Sequence, residues 1–166
     1  MRTFCITTLL FVLMLLSSTG IQAQTTETKP NQVELFKQFI GSWKADMAKD
    51  TILIVDCKSY GTGLEYYIKT ETKGKIIMEG KAIMGYDKKS DRGIQAEILN
   101  DTDITLWVYW FTSPKICEVL HFQYFSNPKM ATSKFKFEFK SPDVVVQTFI
   151  ENNKTIRTFT FYRRKQ

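Results

Sequence analysis

The sequence predicts an all-β fold, an antiparallel up-and-down barrel of about eight to ten strands that follows one short helix. Short runs of alternating apolar and polar residues recur about every ten residues after residue 41. Clusters of turn-forming residues separate these runs, and counting between them gives nine or ten strands. No long segment with helical periodicity lies between the runs, which argues against a parallel α/β sheet.

Residues 1–23 have the layout of a secretory signal peptide. Arg2 provides a positive start, residues 9–16 (LLFVLMLL) form an apolar run, and small and polar residues follow it. The run is too short to span a bilayer. We therefore expect an exported protein, secreted or periplasmic, without a membrane span. Residues 24–30 are polar and are predicted to be a flexible lead-in, so the barrel domain is expected over residues 31–166.

Composition excludes several classes of function. The chain has 23 Lys and Arg against 17 Asp and Glu, and loss of Arg2 with the leader leaves a net charge of +5 on 143 residues. The lysines alternate with acids and phenylalanines, as on a solvated strand surface, so a nucleic-acid partner is not expected. His121 is the only histidine, which excludes a two-histidine metal site. We expect no metal and no other cofactor.

Two cysteines, Cys57 and Cys117, remain after the leader. In an oxidising compartment they form either a disulfide or two buried free thiols, and the sequence leaves both alternatives open.

A helix is predicted before the first strand. Asn31 precedes Glu34 by three residues, a capping pattern at a helix start. Apolar residues then follow at near-helical spacing, which predicts a short amphipathic helix over about 32–40 that ends at Gly41. The apolar residues are Val33, Phe36, Phe39 and Ile40.

The first hairpin for which a register is predicted turns at Lys73 and Gly74. A three-residue loop puts the glycine where a left-handed backbone is needed. Opposite charges then face each other across the strands. The predicted pairs are Glu71–Lys75, Glu65–Lys81 and Tyr66–Gly80. The side chains predicted to share one face are Leu64, Tyr66, Ile68, Met78, Gly80 and Ala82.

The second hairpin turns at residues 113–115 and is apolar on both faces. One face is expected to line the barrel, and the other needs a cover, such as the N-terminal helix or a partner subunit. The predicted pairs are Trp107–His121, Tyr109–Val119, Phe111–Cys117, Thr112–Ile116 and Thr105–Gln123. In residues 134–140 the three phenylalanines are predicted to point inward.

The chain resembles lipocalin-like, calycin-type barrels in one signature. A short helix leads into Gly41-Ser42-Trp43 at the first strand, and the last strand ends in Arg163-Arg164. The resemblance implies that Trp43 plugs the barrel base and that Arg163 or Arg164 covers its ring. Gly85-Tyr86-Asp87 before a polar turn is similar to small secreted bacterial domains of this type.

The aromatic richness of the predicted interior favours a protein that binds a small hydrophobic or amphipathic molecule over an enzyme. The candidate ligand-binding residues are Tyr66, Met78, Met84, Trp107, Tyr109, His121, Gln123 and Phe137. One alternative is a haem-binding or small-molecule enzyme barrel centred on His121. Another is a homodimeric interaction module with a filled core. The carboxylates that invite a glycosidase hypothesis are Glu65, Glu79, Glu97 and Glu118, and the first two are expected on the solvated outer face.

Overall fold

The computed structural model describes residues 29–100 and 103–165. The predicted signal peptide and most of the predicted lead-in lie outside these residues. Within the described residues the first elements are the helix α1 (Gln32–Phe36) and a 3-10 turn (Lys37–Phe39). The strands are β1 (Gly41–Ala48), β2 (Thr51–Tyr60), β3 (Gly63–Thr72), β4 (Lys75–Asp87), β5 (Arg92–Leu99), β6 (Thr105–Ser113), β7 (Ile116–His121), β8 (Ser133–Ser141), β9 (Val144–Glu151) and β10 (Lys154–Arg163). Two further 3-10 turns, Phe122–Tyr124 and Pro128–Met130, connect β7 to β8.

The ten strands form a closed antiparallel barrel, which confirms the predicted fold class. Each strand pairs with its neighbours in sequence, and β1 pairs with β10 to close the ring. Closure leaves no unpaired sheet edge among the ten strands. Successive side chains alternate between the interior and the outer surface. No helix among the described residues is long and apolar enough to cross a membrane.

The N-terminal helix lies at one end of the barrel. Its cap is as predicted, because the Asn31 side chain accepts a hydrogen bond from the Glu34 backbone N–H. The last turn tightens to 3-10 geometry before β1. Buried Gln32 exchanges two hydrogen bonds with the backbone of Phe111, at 2.7 and 2.9 Å, and thereby anchors the helix to β6. Phe36 belongs to the buried core beneath it.

The predicted register of the β3–β4 hairpin is wrong, by one residue next to the turn and by two residues beyond an irregularity in β4. Lys73 and Gly74 both have positive φ, 51° and 75°, so they form a two-residue turn whose twist suits a hairpin. An irregularity then leaves Ile77 unpaired on β4. The observed pairs are Glu71–Ile76, Glu65–Ile83, Tyr66–Ala82 and Ile68–Gly80. A shift of two residues keeps every side chain on its face, so the predicted face is correct.

The β6–β7 register is largely as predicted. Trp107 faces His121, Tyr109 faces Val119 and Phe111 faces Cys117. Thr105–Gln123 is wrong, because β7 ends at His121 and the next residues form a 3-10 turn. Thr112–Ile116 is also wrong, since Ser113 takes the place opposite Ile116 and Thr112 falls in a bulge.

The centre of the outer face of this hairpin is buried within the single chain. Val108 and Leu120 face each other there and are only 1% and 3% exposed. The 3-10 turn Phe122–Tyr124 contacts β6. On the same face the Arg92 guanidinium lies 5.0 Å from the ring centroid of Trp110. Val108 and Leu120 are therefore shielded from solvent without a partner subunit.

Candidate functional site

The barrel encloses a cavity of about 240 Å³. It is larger than an engineered apolar cavity of about 150 Å³ that binds benzene. Phe39 and Trp43 lie at the end nearest the helix, and the remaining lining comes from the inward faces of the strands. The lining residues are Phe39, Trp43, Leu53, Val55, Tyr66, Ile68, Met78, Gln95, Glu97, Leu99, Trp107, Tyr109, Phe135, Phe137, Val145, Gln147 and Phe161.

A cation–π contact between Arg163 and Trp43 closes the cavity at the end nearest the helix. The Arg163 guanidinium carbon lies 4.1 Å from the centroid of the Trp43 ring, and the two residues face each other across β1 and β10. Arg163 also donates hydrogen bonds to the backbone carbonyls of Ile40 and Pro142. Trp43 Nε1 donates to the Phe39 carbonyl at 2.8 Å. Together these contacts tie the helix, the first strand and the last strand at one end of the barrel.

Gly41 is the residue that lets Arg163 approach this closely. Its φ is +133°, a backbone conformation that residues with a Cβ rarely adopt. A Cβ at this position would lie 2.1 Å from Arg163 Nη1. The glycine, Trp43 and Arg163 therefore act as one geometric unit.

The cavity opens at the end away from the helix. Because the strands run up and down, the turns alternate between the two ends, and the helix occupies the end with the turns at residues 61–62 and 142–143. Lining residues near the helix are buried, as Phe39 and Trp43 show at 8% and 3% exposure. Lining residues toward the other end, such as Met78 and Phe135, are half-buried. The more exposed part of the lining therefore lies at the end opposite Trp43.

The polar part of the lining centres on Glu97. Its two carboxylate oxygens accept hydrogen bonds of 3.3 Å from Trp107 Nε1 and from Gln95 Nε2. Burial raises the pKa of the Glu97 carboxyl, and the bond from Trp107 opposes this shift. Each oxygen of a carboxylate can accept more than one hydrogen bond, so Glu97 can accept further hydrogen bonds besides these two.

A second polar cluster is buried deeper in the barrel. The Tyr66 hydroxyl and the Cys57 thiol are hydrogen-bonded, and Tyr109 is hydrogen-bonded to Gln95. Burial raises the pKa of Cys57 to about 12 and holds the pKa of Cys117 well above its ordinary value. Both cysteines are free thiols. Thiols that stay protonated are poor nucleophiles, which argues against cysteine chemistry here.

The structure brings together five of the eight residues predicted to bind ligand. Those that line the cavity are Tyr66, Met78, Trp107, Tyr109 and Phe137. Met84 is 2% exposed and packs in the core outside the lining. Gln123 is exposed in the turn after β7.

His121 lies beside the cavity wall and not in the lining. Its ring contacts Trp107 edge-on, with the centroids 5.4 Å apart. Its Nδ1 accepts a hydrogen bond of 3.4 Å from the Gln123 backbone N–H. The haem or enzyme alternative therefore gains no support from the position of the histidine.

Sequence reasoning missed the inward-facing polar residues of β5. Alternation alone favours placing Ile94 and Ile98 inside, yet Gln95 and Glu97 face the cavity and Ile98 is 48% exposed. The pairing of β5 with β6 was the signal that could have revealed this orientation, since Gln95 lies directly opposite the inward-facing Trp107.

The other candidate carboxylates lie on the outer surface. Glu65 is 3.4 Å from Lys58, and Glu118 is 3.9 Å from Lys134. Glu79 is exposed and hydrogen-bonded to the Tyr67 hydroxyl. In residues 29–100 and 103–165, no three His, Cys, Asp or Glu side chains are grouped to hold a metal ion.

The sequence matches no protein-family model and no curated protein.

Proposed function

We propose that the protein is an exported, lipocalin-like barrel that binds a small hydrophobic or amphipathic molecule. The observation that carries this proposal is the cavity of about 240 Å³. Its lining is mainly aromatic and aliphatic, with a few polar groups, which is the usual composition of a small-molecule site. The plug of Trp43 and Arg163 supports the calycin-type relationship. The ten strands exceed the eight of lipocalins, so the relationship proposed is to the broader barrel type.

Binding can be tested with the uncharged fluorescent probe N-phenyl-1-naphthylamine. We expect enhanced probe fluorescence that saturates at one site per chain. Gln147→Phe should weaken binding, because residue 147 lines the cavity and a larger ring there would occupy it. Thr148→Phe is the matched control, since its side chain points to the opposite face of the same strand. No saturable binding, or equal binding by the two variants, would contradict the proposal.

The natural ligand can be sought directly. Native mass spectrometry of protein purified from its own host should show a bound small molecule, released on denaturation. Protein that is uniformly empty and does not bind the probe would instead favour the interaction-module alternative.

Export is part of the proposal and has its own test. We expect the mature protein to begin at Gln24, after cleavage at Ala23, and to be found outside the cytoplasm. N-terminal sequencing of the fractionated protein checks this, and an intact Met1 start in the cytoplasm would refute it.

A further inference from the structure

The cavity lining carries an acidic group but no basic one. Among the described residues that line it there is one carboxyl, Glu97, and no lysine, arginine or histidine. Arg157 lies near the open end, but it is exposed and its guanidinium covers the Phe159 ring at 5.2 Å. A ligand inside the cavity therefore meets an acceptor-rich carboxyl and no cation.

Glu97 is positioned to receive the polar end of such a ligand. Its strand, β5, pairs with Gly80–Asp87 of β4 on one side and with β6 on the other, and its side chain is part of the lining. Both protein hydrogen bonds to its oxygens are 3.3 Å long, slightly longer than the usual range of about 2.7–3.2 Å for an N–H donor. Each oxygen can accept a second hydrogen bond.

We propose that the cavity selects small ligands whose polar head donates hydrogen bonds to Glu97, with primary amines preferred, alcohols next and carboxylates of the same size disfavoured. This inference rests on the proposed function. An ammonium or hydroxyl head supplies a further donor to carboxylate oxygens that each accept only one hydrogen bond from the protein side chains Gln95 and Trp107. A ligand carboxylate would bring a second negative charge beside Glu97 in a partly desolvated site, where like charges repel more strongly than in water.

The test compares three ligands that share an eight-carbon chain and differ only in the head group. Octylamine, octan-1-ol and octanoate are titrated against the complex of the full mature protein with N-phenyl-1-naphthylamine at pH 7. We expect octylamine to displace the probe at the lowest concentration and octanoate at a concentration at least tenfold higher.

Two charge-removing variants locate the source of the preference. Glu97→Gln should reduce the affinity for octylamine about tenfold or more, the change expected when a hydrogen bond to a charged group is lost. Glu151 lies at the open end but is exposed and outside the cavity lining. Glu151→Gln removes the same charge as Glu97→Gln and should leave the order of affinities for the three ligands unchanged. The comparison of ligands on the wild-type protein keeps the test decisive even if a variant folds poorly.

The outcomes separate this inference from the proposed function. If the probe binds but the three ligands compete equally, or the preference for octylamine survives Glu97→Gln, the cavity binds ligands and the inference is wrong. Tightest binding of octanoate, lost in Arg157→Gln, would assign the head group to the arginine and also overturn it. If neither the probe nor any ligand binds, the proposed function fails as well.

Discussion

Arg163 covers the indole of Trp43 at 4.1 Å while its guanidinium nitrogens donate to backbone carbonyls on two separate segments of the chain. One side chain thus shields the apolar ring that ends the barrel and satisfies carbonyls that the helix and the β8–β9 turn leave unpaired. This contact closes the end of the barrel opposite the cavity entrance.

Replacing Arg163 should destabilise the protein by about 2–4 kcal/mol, because Arg163→Ala removes a cation–π contact, three hydrogen bonds to backbone carbonyls and an exposed ion pair with Asp143. Arg163→Lys should destabilise the protein less than Arg163→Ala, since a lysine keeps the charge but not the planar set of donors of the guanidinium. Urea unfolding measures the loss. Arg164→Ala is the control and should change stability by less than about 0.5 kcal/mol, because that side chain is exposed. Equal effects at the two positions would contradict the assigned role.

Gly41→Ala should destabilise the fold by about 1–3 kcal/mol, because its φ of +133° is strained for alanine and the new Cβ would displace Arg163. The cost should shrink in an Arg163→Ala background, where the clash is absent, and a double-mutant cycle measures the coupling. Gly61→Ala has a left-handed φ but no atom within 4 Å of the added Cβ. It should cost about 1 kcal/mol and show no coupling to Arg163. Additive effects of Gly41→Ala and Arg163→Ala would show that the steric account is wrong.

Glu97→Gln should stabilise the protein at neutral pH by on the order of 1 kcal/mol, because it removes the cost of a partly buried charge. The folded-state pKa of Glu97 is raised above its ordinary value of 4.5, so the folded protein binds this proton more tightly than the unfolded chain. The stability that this proton provides is present below pH 4.5 and is lost as the pH rises through the raised pKa. The difference between variant and wild type should therefore be absent at about pH 3.5 and grow toward neutral pH.

Thermal unfolding across this pH range checks the prediction for Glu97. Glu151→Gln should show no such growth, because that side chain is exposed. A stabilisation by Glu97→Gln that does not depend on pH would count against the burial of its charge as the cause.

Cys57 and Cys117 should resist alkylation in the folded protein at pH 8. Both thiols are buried, and burial raises their pKa values, to about 12 for Cys57, so little thiolate is present. In urea without a reductant, iodoacetamide should label both within minutes, as peptide mapping would show. Failure to label the unfolded chain until a reductant is added would reveal a disulfide. Rapid labelling of the folded protein would contradict the burial.

The two hairpins show why register was only partly predictable. In β6–β7 large side chains alternate without interruption, so Trp107 and His121 could be paired correctly from the turn. In β3–β4 the opposite charges of Glu65 and Lys81 favoured a register in which these two residues face each other. The hairpin instead has a two-residue turn and leaves Ile77 unpaired, and together these shift the partner of Glu65 by two residues. Exposed charges on neighbouring strands still interact diagonally, since Lys81 lies 3.9 Å from Glu65. Such pairs therefore discriminate poorly between registers that differ by two.

The sequence by itself determined the all-β class, a count of about eight to ten strands, the capped helix and the face that the predicted side chains of the β3–β4 hairpin share. Those properties follow from alternation and turn chemistry, which act between near neighbours in the chain. Tertiary structure decided which face of β5 points inward, because that depends on the pairing of Gln95 with Trp107 on the neighbouring strand β6 and not on the apolar pattern of β5. It also decided that Arg163 covers Trp43, a contact between residues 120 positions apart that only closure of β1 on β10 creates.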